Sequence, residues 1–192
     1  AYQNDSYAQR YRDRLAQFSA AVPAAHADAL TQVAAKALFK LMAFKDEYEV
    51  ARLHRDPAFA EMLAQEFEPG FKINYHMAPP IVSLRKDARG RPVKRAFGAW
   101  FSPVLTALSR LRPLRGTALD VFSYTQERRE EVALIRWYEA LLAELPAKTC
   151  ETTVETVQKL LALPMDIRGY GPVKHAAIEQ ARAEEARLRK LL

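Results

Sequence analysis

The stretch Asp166-Ile167-Arg168-Gly169-Tyr170-Gly171-Pro172-Val173-Lys174 gathers residues that could hold an anion. Two glycines flank an aromatic, which predicts a tight backbone path with positive φ. Arg168 and Lys174 bracket the turn, and Pro172 opens a helix whose N-terminal amides favour negative charge. Capture of a phosphate or carboxylate is the chemistry on offer. In the competing structural reading, Asp166 pairs with Arg168 or Lys174 and simply fixes the turn.

A second cationic stretch holds six lysines and arginines between Arg85 and Arg95. Arg85, Arg91 and Lys94 are candidate contacts for an acidic partner, another domain or a phosphate; the bland reading is a solvated hairpin tip. Other chemistry finds little footing. No GxxxxGK[ST] loop occurs, and Lys174 stands where GxGxxG would need its third glycine. His26, His54, His76 and His175 lack metal-ligand spacing, and there is no HExxH or GxSxG. His76 could serve as a general base beside a strand, against the simpler reading of a solvent-facing or hydrogen-bonded histidine. The sequence therefore offers no catalytic residue and no metal ligand.

Cys150 is the one cysteine, so an internal disulfide, a cysteine zinc site and an iron–sulfur centre are excluded within these residues. It reads as an inert thiol in the first turn of a helix, and a cytoplasmic location is the default. With 192 residues, the chain is long enough for a core without staples. Its 49% hydrophobic and 27% charged content is globular rather than disordered. No apolar run reaches the roughly 18 residues that span a bilayer. The polar start, without an initiator Met, fits either a processed chain or a domain cut from a longer polypeptide, and the second is expected. The net charge of +6 permits nucleic-acid or acidic-protein contact without establishing it.

The elements that must position these residues read as mainly α: about six to seven helices with a small β-hairpin excursion around residues 71–97, in a single domain. Tyr7, Tyr11, Leu15, Phe18 and Val22 step along one helical face, which Pro23 ends. A long central helix is expected from about Ala25 to His54, with Phe39 and Phe44 widening its apolar stripe so that it packs on more than one side. Asp56-Pro57 starts another, with Phe59, Met62, Leu63 and Phe67 on one face. Phe71, Ile73, Tyr75 and Met77 alternate as a strand, Ile81–Leu84 could be a second, and Asp87–Gly90 reads as a turn. Ser102-Pro103 opens a helix with Val104, Leu105, Leu108 and Leu111 on its apolar side; Arg110, Arg112 and Arg115 suit its C-terminal dipole. Ser123 or Thr125 caps the next, whose exposed side offers pairs among Glu127–Glu131. Thr149 can cap a further helix, and a final, polar one follows Pro172 with its charges, Glu185 included, facing out.

Three stretches together resemble one family: Leu38 through Leu53, containing KDEYEVARL; Ala78-Pro79-Pro80 with Gly90-Arg91-Pro92 and Phe97-Gly98; and Asp166 through Lys174, containing IRGYG. Leu114-Arg115-Gly116-Thr117 and the opening Ala1-Tyr2-Gln3-Asn4 add to it. Across nearly its whole length the chain resembles the C-terminal domain of the fused bacterial indolepyruvate (2-oxoacid) ferredoxin oxidoreductases. The resemblance implies a parent enzyme that decarboxylates aryl-2-oxoacids oxidatively to acyl-CoA and reduces ferredoxin, using thiamine diphosphate, magnesium and iron–sulfur clusters. No thiamine-type GDG…N motif is present, so no cofactor is expected in this fragment. The expectation is an accessory domain, inactive alone, whose partners are other domains of the parent and, through it, ferredoxin, in a homo-oligomer; neither membrane nor nucleic acid is expected. The alternative is a free-standing basic helical module that binds nucleic acid or an acidic protein.

Overall fold

The computed structural model describes residues 2–77 and 93–192. Among them the chain forms eight α-helices and one two-stranded antiparallel hairpin, in keeping with the mainly helical reading. In chain order they are α1 (Asp5–Ala21), α2 (Ala24–Met42), α3 (Glu47–His54), α4 (Pro57–Glu66), β1 (Tyr75–Met77), β2 (Arg95–Phe97), α5 (Ser102–Arg110), α6 (Gln126–Glu144), α7 (Val154–Ala162) and α8 (Pro172–Arg189). They divide into two compact units. One comprises the residues up to Phe44 with Arg129–Leu192, the other Lys45–Arg128.

In the first unit, the Asn4 carboxamide accepts the Tyr7 amide at 2.9 Å and so caps α1. The predicted stripe faces inward: Phe18 and Val22 are buried, while Tyr7, Tyr11 and Leu15 pack at the core's edge. The Tyr7 and Tyr11 hydroxyls donate to the Met42 and Ala35 carbonyls at 3.0 and 3.1 Å. Helix α2 buries Leu30, Ala34, Ala37, Leu38, Leu41 and Met42, and packs on both α1 and α7. The two alanines leave room for that close approach. Each buried leucine contributes roughly 1.5–3 kcal/mol. Phe44 is in the core, but Phe39 is 62% exposed, with only its edge against the Tyr11 ring.

The long central helix is in fact two. Helix α2 ends at Met42, and the Asp46 carboxylate accepts the Glu49 amide at 2.9 Å, starting α3 afresh. Asp46-x-x-Glu49 has capping-box spacing, a local signal strong enough to reset the helix. Of two further caps, one follows the second of the expected alternatives and one differs from expectation. Thr125 accepts the Arg128 amide at the start of α6, while the Ser123 hydroxyl turns back to the Asp120 carbonyl. Thr149 donates back to the Leu145 carbonyl, and α7 begins only at Val154 after a Cys150–Thr153 turn.

Helix α8 buries Ala181 and Leu188, yet Val173 and Leu191 are exposed. Glu185, expected on the outer face, is buried. It accepts bonds from the Trp137 indole at 2.8 Å, Arg182 at 3.1 Å and Arg189 at 2.9 Å, the pairing a buried carboxylate requires.

In the second unit α3 packs on α5 around Ala51, Tyr75 and Leu105, ringed by Ile73, Met77, Phe97, Phe101 and Leu108. Strands β1 and β2 pair with Tyr75 opposite Phe97 and Met77 opposite Arg95. The alternation that starts at Phe71 thus becomes paired strand only over its last three residues. The expected Ile81–Leu84 strand and Asp87–Gly90 turn lie outside the described residues. Helix α4 starts at the Asp56 cap as read, but none of its residues is fully buried. Met62 and the following Phe67 are about half exposed, so its apolar face is not core. Among the described residues no helix is long and apolar enough to cross a membrane.

Candidate functional site

The most elaborate polar arrangement surrounds Asp46, in the second unit. Its side chain is fully buried. Arg115 donates to both carboxylate oxygens, Nε at 2.9 Å and Nη2 at 2.8 Å, and Arg128 Nη1 donates at 2.7 Å. The second nitrogen of Arg128 reaches Glu47. The Arg115 guanidinium also lies 5.5 Å from the centre of the Tyr48 ring. From that ring the hydroxyl donates to Asp120 at 3.0 Å. Asp120 in turn accepts the amides of Gly116 and Phe122 at 2.9 and 3.2 Å, fixing the loop that carries Arg115.

Electrostatics follow from this geometry. Burial alone would raise the Asp46 carboxyl, but bonds from Arg115, the Glu49 amide and Arg128 outweigh it and hold it below the ordinary value. Burial pushes Glu47 up, even with Arg128 beside it. The Tyr48 hydroxyl is pushed up to about 12, first by burial and then by its bond to Asp120. Asp46, Arg115, Arg128, Tyr48 and Asp120 are turned on one another, whereas Glu49 Oε2 is buried without a hydrogen-bond partner among the described residues. The arrangement clamps the N-terminus of α3, the 112–120 loop and the first turn of α6; it presents no nucleophile or base to a substrate.

Sequence reasoning missed this centre. Local charge pattern assigns Arg115 to the dipole of α5, but it lies beyond that helix and bonds across 69 positions. Arg128 had been placed on an exposed face, yet it is buried. The Asp46-x-x-Glu49 spacing was the available signal, since a cap there puts a carboxylate at a helix start. Nothing local specifies which arginines complete it.

In the first unit the glycine turn takes its expected path: Gly169 and Gly171 have φ of 92° and 55°. A Cβ on Gly169 would meet Val173 Cγ1 at 2.7 Å, so the turn needs glycine there for space as well. Lys174 pairs with Glu131, and Arg168 Nε donates to the Met165 carbonyl at 3.1 Å. Lys40 Nζ donates to the Pro164 and Met165 carbonyls, each at 2.8 Å. Burial, then the nearby Arg168, lowers Lys40. Among the described residues Asp166 pairs with neither Arg168 nor Lys174; the turn is held by its carbonyls and by Glu131. No side chain caps α8. Of the other candidate contacts, Lys94 is exposed, and Arg85 and Arg91 lie outside the described residues.

The remaining reactive side chains are dispersed. The Cys150 thiol is exposed and lies near the Thr152 and Thr153 hydroxyls, which bring it down to about 7. His54 packs edge-on between Phe59 and Tyr75, and burial lowers it. His76 is exposed on β1. His26 and His175 sit 3.2 Å from Glu151 and Glu130. Among the described residues no group of three or more His, Cys, Asp or Glu could hold a metal ion.

Fold and site together define a mainly helical domain organised on internal ion pairs. Residues 1–187 match a family of unknown function (DUF6537), and the chain belongs to that family. No curated protein and no solved structure matches it.

Proposed function

We propose that this chain is an accessory domain of a thiamine-diphosphate-dependent indolepyruvate (2-oxoacid) ferredoxin oxidoreductase, packing against other domains or subunits and inactive alone. One observation carries the reading. Two stretches through which the chain resembles that family, Lys45–Leu53 and Leu114–Thr117, lie far apart in sequence yet meet in the Asp46–Arg115 pair. The likeness therefore rests on residues that build the domain, as expected for a shared structural part. The donor set does not fit the parent's iron–sulfur clusters within this chain, because a single cysteine cannot ligate one. On this reading thiamine diphosphate, magnesium and the clusters belong to other parts of the polypeptide.

The test begins with the native polypeptide, by immunoblot and peptide mass spectrometry of source cells. A band far above 21.8 kDa, with upstream peptides bearing a thiamine-binding motif, supports the reading. A band near that mass defeats it. In the larger protein, reversing the charges at Arg85, Arg91 and Lys94 is expected to weaken assembly or ferredoxin reduction. Unchanged kinetics and oligomer size would remove that stretch as a contact.

A further inference from the structure

Between residues 71 and 119 the chain holds ten lysines and arginines against one acidic residue, Asp87. That segment is more cationic than the chain as a whole. Of its described cations, Arg115 is paired with Asp46 and others have no such partner among the described residues. In the first unit, Arg10 and Arg14 share Glu139, Lys174 has Glu131, and Arg189 has Glu144 and Glu185. Lys94, Arg95, Arg110 and Arg112 make no ion pair with any described residue. Arg55 reaches only the Ser102 hydroxyl, at 3.0 Å, at the start of α5.

Two of these cations, Arg110 and Arg112, adjoin an apolar stripe in the sequence. Helix α5 turns Leu105 and Leu108 toward the small core, and the exposed strip beside them is apolar rather than polar. Trp100, Val104 and Leu111, spaced by four and seven, are 66%, 45% and 47% exposed. Val104 lies in α5, Trp100 in the short helical turn that leads into it, and Leu111 at its C-terminal end. Trp100 is braced edge-on by Phe97 and Phe101, with centroids 5.9 and 5.6 Å away. Arg110 and Arg112 flank Leu111 in sequence, and Lys94 and Arg95 lead into Phe97.

We propose that this outer face of α5 docks an acidic protein surface, one whose apolar residues meet Trp100, Val104 and Leu111 while carboxylates meet the surrounding cations. A rigid tryptophan with arginines at the rim is the composition of an interface hot spot. Arginines without an ion pair among the described residues can take carboxylates, and the apolar stripe can take apolar side chains. A nucleic acid supplies phosphates but could use only Trp100, by stacking, leaving Val104 and Leu111 against a charged backbone.

The experiment places a photocrosslinking amino acid at position 100 in the native full-length protein, irradiates it in cells, and maps the joined peptides by mass spectrometry. Expected is one protein segment with carboxylates around apolar residues. Its yield should fall about tenfold in the Arg110→Glu/Arg112→Glu variant, as for rim charges set against like charge. Because neither arginine has an ion pair among the described residues, an unchanged thermal melt will show that the variant is folded. Crosslinks to nucleic acid or lipid, a segment lacking carboxylates, one within these 192 residues, no protein adduct, or a yield indifferent to the reversal would each overturn the proposal. Failure of the oxidoreductase reading is visible separately, in the size of the polypeptide.

Discussion

Asp46→Ala is expected to be the most damaging single substitution in the second unit. It removes the α3 cap, worth about 1 kcal/mol. It also strips the buried guanidinia of Arg115 and Arg128 of their shared carboxylate, and breaking a buried pair costs about 3–5 kcal/mol. Arg128 retains Glu47, which places the sum near the lower end, about 4 kcal/mol. If the unit melts on its own, its midpoint falls by roughly 20 °C. Urea titration followed by circular dichroism reads the loss, and hydrogen exchange at α3 and the 112–120 loop locates it. Replacing all three residues with apolar side chains should do less harm than Asp46→Ala, since no charge is then left uncompensated. A loss below about 1 kcal/mol would refute a buried centre organised on Asp46. The sign of the pH dependence is a second check. Asp46 binds its proton more weakly folded than unfolded, so its contribution is complete above the ordinary value of 3.8 and is lost as pH falls toward its depressed folded value. Glu47 is shifted the other way, and its contribution fades as pH rises through and above 4.5.

Three other outcomes are expected. Gly169→Ala should destabilise the first unit by about 1–3 kcal/mol, from positive φ and the collision with Val173; Gly171→Ala, with open space around it, should cost less, and equal melts would contradict the assigned turn. Alkylation of Cys150 should accelerate with a midpoint near pH 7, shifting upward in Thr152→Ala and Thr153→Ala; a midpoint that ignores both would remove the hydroxyls as the cause. Bonds from Arg189 and Lys148 bring Glu144 down to about 2, so the stability it lends is present above 4.5 and lost as pH falls to 2. Glu144→Gln should flatten the acid limb of the stability curve.

The sequence by itself determined what short-range chemistry decides. Asp56-Pro57 starts α4, Pro23 follows α1, and the glycines at 169 and 171 take positive φ. Caps, ring closure and Cβ sterics act within a few residues, so their causes lie side by side in the chain. The face of α1 is equally legible, because a 3.6-residue repeat records which side is buried. Tertiary structure alone decided the rest. The Lys45–Glu49 cluster looks like the solvated end of a helix, yet it buries Asp46, because Arg115 and Arg128 arrive from 69 and 82 positions away. Glu185 is inside because Trp137, Arg182 and Arg189 surround it, whereas Phe39, Val104 and Leu111 remain exposed despite their hydrophobicity. A carboxylate can be buried only where donors converge, and an apolar side chain only where a neighbouring surface covers it. Both conditions are set by residues distant in sequence, which periodicity and propensity do not register.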